Sequence, residues 1–383
     1  MPERTARVLN SIDDIAASEW DACANPPNLA RNPFLSHQFF HALEASGSAV
    51  AKTGWQPFHL ALEQGGQLLG VVPMYLKGHS QGEYVFDHAW ADAWHRAGGR
   101  YYPKLQATVP FTPAPGRRLL ARDDQPDTQR ALLDACAQVA EQVAVSSLHI
   151  TFMQEREWQL AAEQGYLQRM DQQFHWCNQG YQSFDDFLGA LSSKKRKNLK
   201  RERREAVADG IDIEWVTGTG LTDAHWDAFY QFYLDTGSRK WGSPYLTRRF
   251  FSLISETMAD EVLLIMCRRD GRYIAGALNF IGGDTLFGRN WGCLEDHRFL
   301  HFETCYYQAI EFAISRGLKK VEAGAQGSHK VARGYLPMPT YSAHWLGDSG
   351  FREAVADYLD RERAHVREEI AYVGEHTPFK SAD

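Results

Sequence analysis

Alternating hydrophobic and polar positions predict the same succession of elements in both halves of the chain. The first half carries the pattern FHLALEQGGQLLGVVPMYL, which turns at Gly65–Gly66, then a strand LQATVPFT, a loop, a helix TQRALLDACAQVAEQVA and a strand SLHITFM. Such alternation around a glycine turn is typical of a β-hairpin. The second half carries EVLLIMCRRDGRYIAGALNFIGG, which turns at Asp270–Gly271, then a strand TLFGRNWGCL, a helix LHFETCYYQAIEFAISRG and a strand KKVEAGA. This repeat predicts a duplicated α/β domain.

The region between residues 165 and 185 predicts the boundary between two domains, residues 1–175 and residues 176–383. Its sequence, QGYLQRMDQQFHWCNQGYQSF, loses the helical period and becomes mixed in polarity before the next helix begins. Near the C-terminus, FREAVADYLDRERAHVREEI predicts a charged amphipathic helix that packs on the body of the protein.

Composition is typical of a soluble globular protein. The 383 residues are 44% hydrophobic and 23% charged, which suits two domains or one large domain. The net charge of −7 argues against a stable complex with nucleic acid. The six cysteines show neither a CxxC pair nor a metal-ligand spacing, so we expect reduced thiols, a cytoplasmic location and no metal. No segment approaches the roughly 18 apolar residues of a transmembrane helix, and the N-terminus lacks a signal-peptide core.

A basic run, SSKKRKNLKRERRE at residues 192–205, is the sharpest charge feature of the sequence. It holds eight Lys or Arg against two Glu, and a helical period leaves Leu199 as the single apolar anchor. One interpretation is a solvated helix face. Another is an anion site in which Lys197 and Arg201 contact coenzyme phosphates or tRNA. A third is peripheral contact with the anionic headgroups at the inner face of a membrane.

Three stretches carry a resemblance to a known family: LSSKKRKNLKRERREA, FGRNWGCLEDHRFLHFETCYYQAIEFAI and EAGAQGSHKVARGYLP. They resemble a bacterial group of predicted N-acyltransferases in the GNAT superfamily, which is distantly similar to the Fem-type peptidyltransferases. In the first half, NPFLSHQFFHALE, GEYVFDHAWADA and GGRYYPKLQATVPFTP are similar to the same group. The resemblance implies an α/β fold of two tandem GNAT-like domains, with mixed β-sheets flanked by helices. It also implies an amide-forming activity with acyl-coenzyme A as the donor.

GNAT proteins commonly bind the coenzyme A pyrophosphate at a loop Gln/Arg-x-x-Gly-x-Gly/Ala before a helix, where backbone amides attract anions. The corresponding loop of the second half, EDHRFLHFE, contains no glycine. The first-half loop PAPGRRLL offers Gly116, Arg117 and Arg118, which suit a phosphate better. This departure leaves room for a long-chain acyl donor, an acyl carrier protein or an aminoacyl-tRNA.

The stretch from residue 322 to residue 333 gathers candidate catalytic groups at the end of the last predicted strand. Amine acylation needs a base for the ammonium group, and Glu322 or His329 can serve, with His329 needing the smaller pKa adjustment. Other polar side chains can hold an anionic group or donate to a carbonyl oxygen. These are Arg289, Gln326, Lys330 and Arg333. A plain surface turn is the alternative interpretation.

Further substrate-binding candidates lie in both halves. On and beside the second-half helix, Trp291, Tyr306 and Tyr307 can line an acyl slot, although these aromatic side chains also suit a core. Glu303 precedes Tyr306 by three residues and should point along the same gap. The long aromatic insert of the first half supplies His79, Tyr84 and Asp87, because long loops often carry function.

We therefore predict an N-acyltransferase that joins an acyl donor to a primary amine. The many aromatic residues, together with the basic run, favour an amphiphilic acceptor such as the amine of a membrane lipid or of a cell-envelope precursor. One alternative is a Fem-like enzyme that moves an amino acid from tRNA to a cell-wall precursor. The other is a degenerate GNAT pair that binds a cell-envelope molecule without turnover.

Overall fold

The computed structural model describes residues 3–240, 244–324 and 327–380. The chain forms two compact units, Met1–Gln172 with Pro339–Glu369 (unit 1) and Gln173–Met338 with Ile370–Asp383 (unit 2). The division at residue 172 lies within the region expected for a boundary. However, Pro339–Glu369 belongs to unit 1, whereas the sequence placed it in one continuous second domain.

The elements are numbered along the chain. Strands β1 to β15 span Arg4–Leu9, Trp55–Pro57, His59–Gln64, Gln67–Val72, Met74–Lys77, Lys104–Ala107, Leu120–Ala121, Ser147–Met153, Leu167–Cys177, Asp212–Thr217, Val262–Arg269, Arg272–Ile281, Thr285–Cys293, Lys320–Glu322 and Leu336–Leu346. Helices α1 to α12 span Ala17–Ala24, His37–Ala45, His88–Arg96, Pro126–Gln142, Glu155–Glu163, Phe184–Ala190, Ser193–Ala206, Asp223–Lys240, Arg248–Met258, Leu300–Phe302, Gln308–Ser315 and Ser349–Glu375. A π-helical turn, Glu303–Tyr307, joins α10 to α11, and a 3-10 segment, Ser328–Arg333, precedes β15.

Unit 1 is built around the predicted first hairpin, whose two arms are interrupted at the same level. Phe58 separates β2 from β3, and Pro73, which has no N–H for the ladder, separates β4 from β5. β3 and β4 pair in the order β1-β3-β4-β7, whereas β2 and β5 continue in the order β2-β5-β6-β8-β15. β6 and β8 run parallel, and the pairs β5–β6 and β8–β15 are antiparallel.

Unit 2 repeats this arrangement with the order β10-β11-β12-β13-β14-β9. Here β13 and β14 run parallel, and the other neighbours are antiparallel. In both hairpins the third residue after the turn, Leu69 or Ile274, is left out of the pairing as a β-bulge. The shared strand directions and the shared bulge confirm the predicted repeat of α/β domains.

The strand that closes each sheet comes from a part of the chain that the sequence pattern did not indicate. β15 pairs with β8 through Tyr341 to Leu346 and so completes unit 1 from the C-terminal end. β9, which falls in the region expected to be a boundary of mixed polarity, pairs with β14 and completes unit 2. Each unit is discontinuous in sequence, since unit 1 includes Pro339–Glu369 and unit 2 includes Ile370–Asp383.

The core of unit 2 lies between one face of its sheet and the helices α6, α7 and α11. Phe174 and Trp176 of β9 point into this core, together with Leu199 of α7. Most of the basic side chains of α7 stay outside. On β13, a Cβ added to Gly292 would lie 2.2 Å from the backbone oxygen of Phe232, so glycine is needed for α8 to approach the sheet.

Candidate functional site

A cleft opens in unit 2 where β13 and β14 separate. β13 pairs with β14 only through Thr285–Phe287, since β14 ends at Glu322 while β13 continues to Cys293 beside β12. Within the described residues, the edge of β13 beyond Phe287 therefore faces the cleft. Such an edge presents backbone N–H and C=O groups that an extended ligand can pair with.

The cleft encloses about 120 Å³, which is several times the share of liquid volume of one water molecule, so a small acyl group fits. Three of the predicted substrate-binding residues, Arg289, Trp291 and Tyr306, line its wall. Arg289 forms a β-bulge, because the pairing with β12 skips it. Cys305 and Ala323 complete the part of the wall nearest the end of β14.

The helix that follows β13 changes its winding at the cleft. Between α10 and α11 the chain takes the π-helical turn Glu303–Tyr307, a rare conformation that occurs mostly at functional sites. This turn places Cys305 and Tyr306 at the cleft, whereas the side chains of Glu303 and Tyr307 contact α7. Phe299, just before α10, has a positive φ of 64°, which few large side chains adopt.

Tyr306 and His329 form a hydrogen-bonded pair at the cleft wall. The hydroxyl oxygen of Tyr306 lies 3.0 Å from Nε2 of His329. Burial lowers the pKa of His329, and the positive charges of Arg333 and Lys330 lower it further, so the imidazole is neutral at pH 7. Burial raises the pKa of Tyr306 well above its usual range, so the phenol stays protonated. A neutral Nε2 can therefore accept the hydroxyl proton.

Lys330 fixes the chain just beyond β14. Its ammonium group donates to the carbonyl oxygens of Ala323 at 2.7 Å and Gly324 at 3.0 Å, and the residue is 2% exposed. Burial lowers the pKa of Lys330 to about 8. Because Ala323 lines the cleft, the structure gives Lys330 a role in shaping the cleft, not the predicted role of holding a free anion.

Two further predicted residues lie beside the cleft and contact α7. Arg333 donates to Glu202 at 2.9 Å, and Glu303 accepts from Arg203 at 2.8 Å. Glu303 is 2% exposed and also accepts from Gln308 at 2.7 Å. The structure therefore places Arg333 and Glu303 in ion pairs within the protein, in contrast to their predicted contacts with substrate.

Glu322, the other predicted base, does not contact His329 in the described residues. Its neighbour Val321 points into the core, so Glu322 faces the opposite side of the sheet, where it lies directly across from His175 of β9. Its carboxylate forms an ion pair with Lys320, whose Nζ lies 2.6 Å away. The predicted donor Gln326 lies outside the described residues.

The basic run forms α7, and one side of it is exposed. The outward-facing side chains, which include the predicted phosphate contacts Lys197 and Arg201, are Lys194, Lys197, Lys200, Arg201 and Arg204. Lys200 lies 3.3 Å from Asp185 and Arg201 lies 3.7 Å from Glu205, but exposed pairs of this kind contribute little. We call these five residues the basic face.

The loop between β13 and α10 is poorly suited to a pyrophosphate. His297 contacts Asp209 and Glu295, and Arg298 lies 3.2 Å from Glu205. These carboxylates compensate the positive groups of the loop and repel a phosphate. Among the described residues, no group of three or more His, Cys, Asp or Glu side chains is arranged to hold a metal ion.

Comparison with known proteins identifies the family. A model of the FemAB-like family, described as peptidoglycan biosynthesis/recognition, matches residues 11–381. The chain belongs to the FemAB-like family. The crystal structure of FemX shares 12% identity with a TM-score of 0.58, over 92% of this chain and 100% of that one. L-PGS from Bacillus licheniformis shares 10% identity with a TM-score of 0.53, over 87% and 97% of the two chains.

A tandem GNAT protein from the clavulanic acid biosynthesis pathway also matches, with 11% identity and a TM-score of 0.47 over 91% of this chain and 100% of that one. The similarities to FemX and L-PGS concern the fold, and with the strand orders above they confirm the predicted class, an α/β fold of two tandem domains with mixed β-sheets flanked by helices. No curated protein sequence matches. The helices in the described part of this FemAB-like protein are too short or too polar to cross a membrane.

In unit 1 of the FemAB-like protein, the loop predicted to bind phosphate is buried and has a structural role. Arg118 is fully buried and donates to the carbonyl oxygens of Ala114, Arg117 and Thr151. Arg117 donates to the carbonyl oxygens of Cys23 and Ala121, and the N–H of Gly116 donates to Phe152. The prediction of a phosphate site at Gly116, Arg117 and Arg118 is therefore corrected, since both guanidinium groups are buried and donate to carbonyl oxygens of the protein.

The aromatic insert of unit 1 covers a buried polar cluster that the sequence did not indicate. Asp87, predicted to bind substrate, accepts from Lys104 and from the Tyr101 hydroxyl, and Lys104 also donates to Glu83 at 2.7 Å. His149 lies at the end of this cluster, with its Nδ1 2.6 Å from Nδ1 of His344. All of these residues are at most 4% exposed.

The other two predicted residues of the insert lie outside this cluster of carboxylates. His79 accepts from the backbone N–H of Gln81 at 3.1 Å and bonds the carbonyl oxygen of Thr53 at 3.0 Å. Tyr84 is half-buried with a positive φ of 61°. The insert therefore packs as part of unit 1, and its polar residues support one another.

We expect His149 to make the stability of the protein dependent on pH. Burial, with the positive charge of Lys104, lowers the pKa of His149 to about 3, so the unfolded chain binds the extra proton first as pH falls below about 6.5. The stabilisation is complete above pH 6.5 and declines by up to about 1.4 kcal/mol per pH unit toward pH 3. Urea unfolding of wild type and of His149→Gln between pH 7 and pH 4 measures it. The two curves should converge as pH falls, and parallel curves, as expected for the exposed control His88→Gln, would contradict the assignment.

Proposed function

We propose that this FemAB-like protein forms an amide bond by transferring an acyl group from an activated donor to a primary amine. The observation that carries the proposal is the cleft between β13 and β14, with the Tyr306–His329 pair on its wall. The acyl group occupies the cleft, and the backbone edge of β13 holds it as an added strand would. This arrangement keeps the carbonyl carbon beside the Tyr306 hydroxyl.

The chemistry follows from the protonation states of the pair. The amine attacks the acyl carbon, the new C–N bond forms, and the bond from that carbon to the donor oxygen or sulfur breaks. The amine proton passes to the Tyr306 hydroxyl as the hydroxyl proton passes to Nε2 of His329. The leaving group recovers a proton from the same pair, so that neither residue changes its charge over a full cycle.

We assign the reaction to unit 2. In unit 1 the equivalent parallel pair is β6 and β8, and the space beyond Ala107 is filled by the segment that carries Arg118. The N–H of Gly116 bonds the carbonyl oxygen of Phe152 at 2.9 Å, at the end of β8. Because that space is filled, unit 1 contributes no second cleft of this kind in the described residues.

The donor we favour is an aminoacyl-tRNA. The basic face is on a helix that contacts the π-helical turn of the cleft, and it offers five positive side chains to a polyanion. The carboxylates around His297 and Arg298 disfavour the pyrophosphate of coenzyme A at the usual loop. Acyl-coenzyme A is the second candidate, and the exposed edge of β13 favours it, since a slender thioester arm can pair with such an edge.

For the acceptor, we propose the primary amine of a cell-envelope precursor, in line with the description of the family model. The experiment offers the purified protein two labelled donors in parallel, a pool of ¹⁴C-aminoacyl-tRNA and a pool of ¹⁴C-acyl-coenzyme A, with an envelope-precursor extract. Amides resist mild base, whereas the esters and thioesters of the donors do not. Base-stable label that requires the extract supports the proposal, and the donor that supplies it decides between the two candidates. Binding of the extract without any transfer from either donor would indicate a binding protein instead.

A further inference from the structure

Arg333 links the segment of His329 to helix α7. One guanidinium nitrogen donates to the carbonyl oxygen of His329 at 2.8 Å, and the other donates to the carboxylate of Glu202 at 2.9 Å. The guanidinium carbon lies 3.5 Å from the ring centre of Phe302, and Arg333 is 6% exposed. The planar guanidinium group therefore donates to two partners at once, which a lysine side chain cannot reproduce.

α7 also holds both ends of the π-helical turn. Glu202 accepts from the hydroxyl of Tyr307, the last residue of the turn, at 2.5 Å. Arg203 donates to Glu303, the first residue of the turn, at 2.8 Å. Tyr306 lies between these two contacts. Two consecutive residues of α7 therefore fix the part of the helix that carries Tyr306, and one of them also holds Arg333.

We infer that Glu202 and Arg333 are positioning residues that hold His329 against Tyr306. The position of α7 against the π-helical turn therefore sets the geometry of proton transfer. The inference rests on the proposed function of the Tyr306–His329 pair. It also couples the two parts of the proposed reaction, because the outer side of the same helix is the basic face on which a polyanionic donor would bind.

The charge of Arg333 affects the pKa of His329, and this pKa would not change if Arg333 had a purely structural role. In the part of the chain that the structure describes, the imidazole of His329 is faced by Lys330 and Arg333 from its own segment and by His301 and Tyr306 from the neighbouring helix. Removing the charge of Arg333 should raise the pKa of His329. Replacing it by Lys keeps the charge but breaks the two-sided contact.

The test measures the pKa of His329 by NMR of ¹³C-histidine-labelled protein, with His329→Gln identifying the signal, and measures transfer kinetics on the same variants. We expect Arg333→Gln to raise the pKa and Arg333→Lys to leave it near wild type. Arg333→Lys and Glu202→Gln should lower kcat by about 10- to 100-fold, the usual cost of misplacing a catalytic group, with the donor KM little changed. The matched controls Arg298→Lys and Glu205→Gln make the same two changes in an ion pair between Arg298 and α7 that does not involve the π-helical turn, and both should keep the wild-type kcat.

A His329 pKa that stays the same in Arg333→Gln, or a wild-type kcat in both Arg333→Lys and Glu202→Gln, would overturn the inference. These results differ from a failure of the proposed function. In that case Tyr306→Phe and His329→Asn would also transfer at the wild-type rate.

Discussion

Replacing Tyr306 by Phe should lower the turnover of acyl transfer by about 10²- to 10⁴-fold, the usual cost of losing a general acid–base group. The variant removes one oxygen atom from the cleft wall and so breaks the 3.0 Å contact with Nε2 of His329. His329→Asn should lower kcat to a similar extent, and the double variant should be no worse than either single variant, because the two residues act as one unit.

The control for this prediction is Tyr273→Phe. That hydroxyl also donates a short hydrogen bond, 2.6 Å to Glu214, but it lies outside the cleft. Its loss should leave kcat at the wild-type value. Steady-state kinetics with the donor identified above provide the measurement, and additive effects of Tyr306→Phe and His329→Asn would show that the two residues do not share a proton.

Removing charge from the basic face should weaken donor binding without affecting the chemical step. Replacing Lys197, Lys200, Arg201 and Arg204 by Gln should raise the donor KM by about 10- to 100-fold at moderate salt and reduce its salt dependence, since fewer counterions are released. kcat should stay near wild type because these side chains point away from the cleft.

A variant of equal charge change provides the comparison. Lys52, Arg96, Arg100 and Arg122 are exposed on unit 1, and changing them to Gln removes the same four charges from another surface. An equal rise in KM in both quadruple variants would show that net charge, and not the basic face, governs binding. An unchanged KM in the α7 variant, with unchanged sedimentation on anionic vesicles, would leave α7 as a solvated helix.

The sequence was informative wherever short-range pattern decides structure. The two hairpins, their turns at Gly65–Gly66 and Asp270–Gly271, and the amphipathic helix near the C-terminus form as predicted. Local alternation and turn chemistry are enough for such elements. The family resemblance also led to the correct fold class, because the motifs span both halves.

The pairing of strands that lie far apart along the chain could not be predicted from the sequence. β9 contains QQFHWC, in which the apolar Phe174 and Trp176 alternate with the polar Gln173 and His175. All four side chains are buried, so the polar positions of this strand do not face solvent as such a pattern would suggest. β9 pairs with β14 and β15 pairs with β8, and in both cases the partner lies far along the chain. The continuous division at residue 175 could not anticipate it.

For the site, residue type was a better guide to location than to role. Arg289, Trp291 and Tyr306 line the cleft, and His329 bonds Tyr306. Arg117 and Arg118 suggested phosphate binding, but carbonyl oxygens from distant segments take up their donors. Glu202, which no motif singled out, is found only when the partners of Arg333 are known. The one local signal was its place as an acidic residue on a helix that is mostly basic.

The most direct test of the account is mass spectrometry of the products formed in a single turnover with a ¹³C-labelled donor and the envelope-precursor extract. The account predicts a new base-stable amide that carries the labelled acyl group with wild-type protein and with Tyr273→Phe. It predicts that this amide falls by at least about 100-fold with Tyr306→Phe, the lower bound expected for a lost acid–base group. Equal yields of the amide from wild type and from Tyr306→Phe would contradict the claim that the cleft of unit 2 is where the bond forms.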